Sequence, residues 1–280
     1  LVHHLLTHTA GWESAQQTHR LEKSLEAGEV PDVDLDRDPV TRMFLGMALD
    51  PVVQVAPGER MAYDNGYYVL LSEIIRRATG DTFDRIARER IFGPLGMEHS
   101  AVCVGPDLEA ACVTRAPGLP FGPDSPLTLE SGWVRGSDDG ASGIHTSAPD
   151  LLRFGQMILE GGKLDGARVL SPASVLAMTT NRVPGVPALF AESLIREASW
   201  GYGFTIVQPN PFAYFVGGLV PDGACAHPGA GGTNYWIDFH HDIVGVWFEV
   251  VTEMTEFFEP VSGVGHRFMN AVTASVLPAT

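Results

Sequence analysis

Lysine is almost missing from this chain. Its 280 residues hold two, Lys23 and Lys163, and the residues three places before them are Arg20 and Glu160. No Ser-x-x-Lys therefore occurs, so a serine activated by a lysine amine one helical turn away is excluded. Gly-x-Ser-x-Gly is absent too, which excludes the serine elbow of the α/β-hydrolases. The glycines form no phosphate-binding pattern. Three cysteines, Cys103, Cys112 and Cys225, are too few and too scattered for a disulfide framework, and a single Cys103–Cys112 bridge is the one pairing left open. No apolar run approaches the length of a bilayer crossing. The stretch from Ile243 to Val251 is apolar but short, holds Glu249, and reads as a buried strand. Positive charge is scarce: 18 basic residues stand against 34 acidic ones, a net charge of −16. Such a surface repels polyanions and anionic membranes, so no nucleic-acid partner is expected.

What is present is ordinary for a globular chain, with 45% hydrophobic residues, no internal repeat and no low-complexity linker. Residues 13–60 read as polar and loop-rich, with an acidic stretch at Asp32, Asp34, Asp36 and Asp38. Tyr68, Leu70, Leu71, Ile74, Ile75 and Ala78 have helical spacing, and Gly80 ends that helix as its cap. A short helix with Phe83, Ile86 and Ile91 follows, up to Gly93-Pro94. Residues 104–144 read as irregular. Ser147 and Asp150 start a further helix, with Pro149 harmless in its first turn, and Ser171-Pro172 starts another. From Trp200 the period changes to that of strands: Gly201–Val207, Ala226–Gly229, Asn234–Phe239 and Ile243–Val251. The turn His240-His241-Asp242 joins the last two as a hairpin, and residues 260–277 form a closing helix. The expectation is one α+β domain over 1–280, mainly helical and loop over about 1–199, with strands and the closing helix over 200–280.

Five segments stand in a telling order. They are Leu5-Leu6-Thr7-His8-Thr9-Ala10-Gly11-Trp12; Tyr63-Asp64-Asn65; Gly80-Asp81 through Pro94-Leu95-Gly96-Met97; Gly143-Ile144-His145-Thr146-Ser147-Ala148-Pro149-Asp150-Leu151; and His227-Pro228-Gly229-Ala230-Gly231-Gly232. In this order and spacing the chain resembles the serine β-lactamase-like hydrolases: class C β-lactamases, penicillin-binding carboxypeptidases and esterases on the same fold. The resemblance implies an all-α lobe beside a lobe with an antiparallel sheet flanked by helices, and an active site in the cleft between them. It also implies acyl transfer through a serine of an upstream Ser-x-x-Lys. The chain lacks that motif and enters at Leu1 directly into an apolar run, so it reads as the C-terminal part of such a hydrolase, without the first strands and the nucleophile helix.

The resemblance assigns roles residue by residue. Tyr63 matches the tyrosine that shares proton handling with the absent lysine. A phenol titrates near pH 10 and acts as a base only where cations or hydrogen bonds lower its pKa. Asn65 matches an asparagine that binds a substrate carbonyl. His227 and Gly229 match the third motif, with Gly229 letting substrate approach the strand and the Ala230 N–H acting as an oxyanion donor. Most β-lactamases carry lysine where this chain has His227. A histidine, partly charged near neutral pH, suits a substrate carboxylate less than an ammonium does. That points to a carboxylic ester.

Plainer roles stand beside these. Tyr63 and Asn65 also read as a loop-to-helix junction with Asn65 as the cap, and His227 as a hydrogen-bonded histidine at a strand end. His3, His4 and His8 have spacing that suits a metal, but the resemblance gives their segment packing and hydrogen-bonding roles, so no metal and no cofactor are called for. Cys225, two residues before His227, reads as a small buried residue rather than a thiol nucleophile. The intact parent is expected to act on a small-molecule ester or amide, and this chain alone to be inactive. A D-aminopeptidase, a β-lactamase and a binding protein that has lost its nucleophile are the alternatives. The composition suits a cytoplasmic or an exported protein equally.

Overall fold

Capping chemistry places the main helices. In the computed structural model, which describes residues 1–12, 23, 27, 39–49, 51–118, 137–141, 144–190, 193–209, 216–229, 231–250 and 263–276, the first helix α1 is short, Val2–Leu6. A second, α2, spans Pro39–Leu49. The expectation of loop over 13–60 is corrected there. Thr41, Leu45 and Ala48 recur at helical spacing and are buried, and the Ala48 side chain lies beside Gly66. The acidic stretch at 32–38 lies outside the described residues.

Strand β1, Met61–Ala62, runs into α3, Asn65–Thr79. The cap of α3 is Asp64, whose carboxylate accepts from the Gly66 N–H at 2.6 Å. Asn65 is the first helical residue and exposed, which corrects the reading of Asn65 as the cap. Gly80 closes α3 at φ 74°, in the left-handed region where a side chain is strained. Helix α4, Phe83–Ala87, continues into a π turn over Arg88–Phe92, and α5 is a single turn, Pro106–Glu109.

Helix α6, Ala148–Leu159, starts as its sequence suggests, with the Asp150 N–H donating to Ser147 Oγ at 3.3 Å. Two of its side chains tie it to the chain at and just after Pro94-Leu95-Gly96-Met97. Asp150 Oδ2 accepts from the His99 N–H at 2.7 Å and from Ser100 Oγ at 2.8 Å, and the Arg153 guanidinium donates to the Leu95 carbonyl. The start of α6 and the chain around Pro94-Leu95-Gly96-Met97 thus brace one another as scaffold. A small antiparallel pair, β2 (Lys163–Leu164) and β3 (Ala167–Arg168), precedes α7, Pro172–Met178, capped by Ser171.

A three-stranded sheet was not expected from the sequence. In it β1 pairs in parallel with β4, Ala188–Phe190, which pairs antiparallel with β5, Ser193–Ile195. The larger sheet is antiparallel, in the order β6 (Thr205–Ile206), β7 (Cys225–Gly229), β8 (Thr233–Asp238), β9 (Ile243–Phe248). The strand expected over 201–207 is reduced to β6. Gly201 packs so tightly that a Cβ would lie 1.9 Å from the Met178 carbonyl, and Gly203 turns at φ 92°, so the chain folds back there instead of running extended. The closing helix forms as α8, Val264–Ser275.

Register divides the sheet into two faces. Cys225 pairs with Ile237 and His227 with Tyr235, on the side that packs against Met157 and Phe154 of α6. Ala226 pairs with Trp236 on the other side, against Met269 of α8. The architecture is α+β, with a helix on each face of the larger sheet.

The contact of α6 with the sheet leaves no spare room. A methyl added at Gly155 would lie 2.3 Å from Val244 Cγ1 and 3.0 Å from the Tyr235 ring. Gly155→Ala should therefore lower stability by about 1–3 kcal/mol through overpacking, despite alanine's better helix propensity. Urea denaturation with an unchanged m-value checks it; a stabilised variant would show that the helix shifts freely.

Candidate active site

Four distant segments meet in one ring cluster. Tyr63 stands between β1 and α3, and His227 on β7, their ring centroids 6.2 Å apart. Trp200 lies edge-on to both, at 5.8 Å from each. His8, just past α1, packs 4.5 Å from Tyr63, 5.1 Å from Tyr68 and 5.1 Å from Trp200. The structure thus brings together two of the residues singled out from the sequence, Tyr63 and His227. It adds His8, which the sequence reading left to packing, and Trp200, which served there only to mark where the period changes. The signal for His8 was its place in the Leu-Leu-Thr-His-Thr segment.

Hydrogen bonds assign the tautomers of both imidazoles. The Nδ1 of His8 lies 3.2 Å from the Asp64 backbone nitrogen, so it accepts from that N–H and the proton sits on Nε2. The Nδ1 of His227 lies 2.8 Å from the Pro228 carbonyl oxygen, so it donates and leaves Nε2 as a lone-pair acceptor. Burial, and then the charge of His227, hold His8 far down, at about 3. Burial also lowers His227. Both rings are therefore neutral at physiological pH.

Tyr63 moves the other way from a general base. Burial first, and then the negative charge of Asp64, push its hydroxyl up to about 12. Burial also raises Tyr68. Asp64 is itself pushed up to about 6 by burial, against the opposing pull of the Gly66 N–H and the Trp12 indole.

The remaining candidates lie apart in character. Asn65 is exposed at the mouth of α3. A methyl on Gly229 would lie 2.1 Å from Thr233 Oγ1, so this glycine makes room for a neighbour across the β7–β8 hairpin. Ala230 lies outside the described residues, as does Gly143 of the fourth segment. Cys225 is buried, its thiol pushed up to about 12 by desolvation and donating to the Thr179 carbonyl at 3.9 Å. That environment suits a packing residue and not a nucleophile. None of the three cysteines is in a disulfide, so the Cys103–Cys112 pairing that the sequence left open is not formed. His3 Nδ1 pairs with the Tyr202 hydroxyl at 3.0 Å and His8 with Asp64, so the two rings serve separate contacts. Among the described residues, no group of three or more His, Cys, Asp and Glu could hold a metal ion, and no helix is long and apolar enough to cross a membrane.

The family model described as Beta-lactamase matches residues 1–253. The chain belongs to the beta-lactamase family. It is 30% identical to an uncharacterized protein of Mycobacterium tuberculosis, over 87% of this chain and 60% of that protein. The chain thus spans less than two thirds of that relative's length. Among solved structures it resembles a penicillin-binding protein homologue from Caulobacter crescentus at a TM-score of 0.68, with 21% identity over 98% of this chain and 71% of that one. It also resembles a hydrolase with promiscuous acyltransferase activity at a TM-score of 0.66, with 18% identity over 97% of this chain and 71% of that one. Membership and fold make this a chain of the beta-lactamase fold, and the proteins it resembles include a penicillin-binding protein 4 of Amycolatopsis lactamdurans, 25% identical over 84% of this chain and 65% of that one.

The buried Asp64 makes a pH-dependent prediction. Its folded pKa of about 6 lies above the ordinary 3.8, so the folded state holds the proton more tightly than the unfolded one. Its contribution therefore turns unfavourable as pH rises between those values and stays so above them. Asp64→Asn keeps a good helix cap and removes the charge. It should be more stable than wild type by about 1–3 kcal/mol at pH 8, with the gap closing below pH 4. Denaturant titrations at the two pH values check this; a variant less stable at pH 8 would mean that the charge itself is wanted.

Proposed function

We propose that this chain supplies the substrate-facing part of a serine hydrolase that cleaves a small carboxylic ester through an acyl-serine. The observation that carries this reading is the neutral His227, whose Nδ1–H is spent on Pro228 and whose Nε2 is an acceptor. A ring in that state repels the lone pairs of a carboxylate, which β-lactams and D-alanyl peptides carry, and is indifferent to an uncharged ester. In the proposed site Tyr63 relays the proton, Asn65 binds the substrate carbonyl, Gly229 lets the substrate lie along β7, and the Ala230 N–H donates to the oxyanion. No cofactor is called on.

The second reading, a binding protein that keeps the cleft and performs no acyl transfer, is favoured by one observation. Tyr63 is pushed up to about 12, so its hydroxyl keeps its proton in this environment. A cation next to it would be needed to bring it down. The chain as it stands, without Ser-x-x-Lys, is thus proposed to be inactive.

Incubating this chain with a fluorescent phosphonate or a penicillin probe should give no adduct by mass spectrometry. A stoichiometric adduct on one of its serines would overturn the proposed inactivity and the role given to the absent motif.

In a form that carries Ser-x-x-Lys in the same cleft, p-nitrophenyl esters should be turned over at a higher kcat/KM than nitrocefin. The reverse order would move the site to β-lactams. In the same assay Tyr63→Phe should lower kcat by about 10²–10⁴-fold, the contribution of a positioned proton carrier, with the melting temperature little changed because the ring is kept. Retention of more than about a third of wild-type kcat, well outside that range, would leave Tyr63 a packing residue.

A further inference from the structure

His8 holds the chain on both sides of Tyr63. Its backbone carbonyl accepts from the Ala62 N–H at 2.8 Å, one residue before the tyrosine. Its side-chain Nδ1 accepts from the Asp64 N–H at 3.2 Å, one residue after it. Its ring lies 4.5 Å from the Tyr63 ring, tilted by 32°. One residue thus supplies two acceptors and a packing face to three consecutive residues of another segment.

The grip is bought with local strain. His8 stands at φ 55°, in the left-handed region that a non-glycine residue rarely adopts. Its Nε2, which carries the proton, is buried and has no hydrogen-bond partner among the described residues. Both features are unfavourable by themselves. A residue chosen only for packing would need neither: leucine or phenylalanine would fill the space without a buried donor. Together they are what placing an imidazole Nδ1 opposite the Asp64 N–H requires. The left-handed backbone aims the ring there, and the neutral ring, held down by burial, keeps Nδ1 unprotonated.

We propose that His8 is a positioning residue for Tyr63: it clamps the peptide units before and after the tyrosine and so fixes the ring against His227. The proposal rests on the reading of Tyr63 as the proton carrier, and it names the device that holds that group in place. The clamp has two halves that differ in how they respond to substitution. The Ala62 half uses the backbone of residue 8 and survives a change of side chain. The Asp64 half uses the side chain and does not. Asparagine is the conservative replacement, because its Oδ1 occupies the place of Nδ1 and it tolerates a positive φ.

The test is amide hydrogen exchange by NMR on this chain, wild type, His8→Ala and His8→Asn. In His8→Ala the Asp64 amide should exchange about tenfold faster relative to the Ala62 amide, the loss expected of one hydrogen bond. In His8→Asn the ratio should return close to wild type. The Cζ line of Tyr63, labelled with carbon-13 and assigned by its loss in Tyr63→Phe, should move in His8→Ala and return in His8→Asn. Equal acceleration of both amides, or an unmoved Tyr63 line, would reduce His8 to packing and overturn the proposal. Should His8→Ala fail to fold, nitrogen-15 spectra of the wild-type imidazole decide: Nδ1 unprotonated and Nε2 protonated is the expected tautomer, and a protonated Nδ1 overturns the clamp. None of these readouts is an activity. A silent Tyr63→Phe in the kinetic assay would end the catalytic reading and leave the clamp standing, whereas a failed clamp leaves the catalytic reading to its own assay.

Discussion

The packing of His8 against Tyr63 and Tyr68 is the contact on which the rest of the candidate site depends. It joins the turn after α1 to the mouth of α3, and Trp200, between β5 and β6, and His227 of β7 close on the Tyr63 ring. The His8 carbonyl accepts from the Ala62 N–H of β1, a strand of two residues whose other neighbour is β4. Aromatic contacts of this kind add about 0.5–1.5 kcal/mol per pair beyond the area they bury. Their larger effect is geometric, because rings that touch on several sides have one arrangement. The site is rigid because its rings are shared between elements that arrive from different parts of the chain.

The electrostatics of the cluster follow from the same burial. Desolvation moves every titratable group in it toward its neutral form: the imidazoles down, the phenols up, and Asp64 up. A site of this kind can orient an uncharged group well. It moves protons poorly until a charge is brought to it. Two opposite expectations drawn from the sequence are thereby reconciled. Tyr63 is the proton carrier we propose, and the burial and the charge of Asp64 around it here hold its hydroxyl in the protonated form.

What was legible in the sequence was local. Asp150 with Ser147, Gly80 after Ala78, and Ser171 before Pro172 mark helix ends through hydrogen bonds that span a few residues, and those ends are where the structure has them. The hairpin of β8 and β9 was legible for the same reason. The pairing of β1 with β4 was not, since a strand of two residues has no period to read and its partner comes more than a hundred positions later. Helix α2 was hidden by the polar residues around it, although Leu45 and Ala48 carried the spacing. In the candidate site, the motif order marks Tyr63 and His227, whose rings the fold brings to 6.2 Å. The share of His8 and Trp200 could not be read, because a left-handed φ and a side-chain bond to Asp64 exist only once the segments have met. The cap of α3 was missed by one residue, since Asp64 and Asn65 are equally good caps by type and only geometry separates them.

The β7–β8 hairpin sets a further condition on how this site can change. His227 pairs with Tyr235, and the return of the chain is closed by the Gly232 N–H donating to the Gly229 carbonyl at 2.9 Å. Side chains alternate between the two faces of a sheet, so a one-residue slip of β7 against β6 and β8 would turn His227 away from Tyr63 and present Pro228 or Ala226 in its place. The register of β7 is therefore as much a part of this cluster's geometry as the imidazole itself. A side-chain exchange at position 227 would alter what this strand presents to Tyr63, whereas a slip of register would remove the position itself.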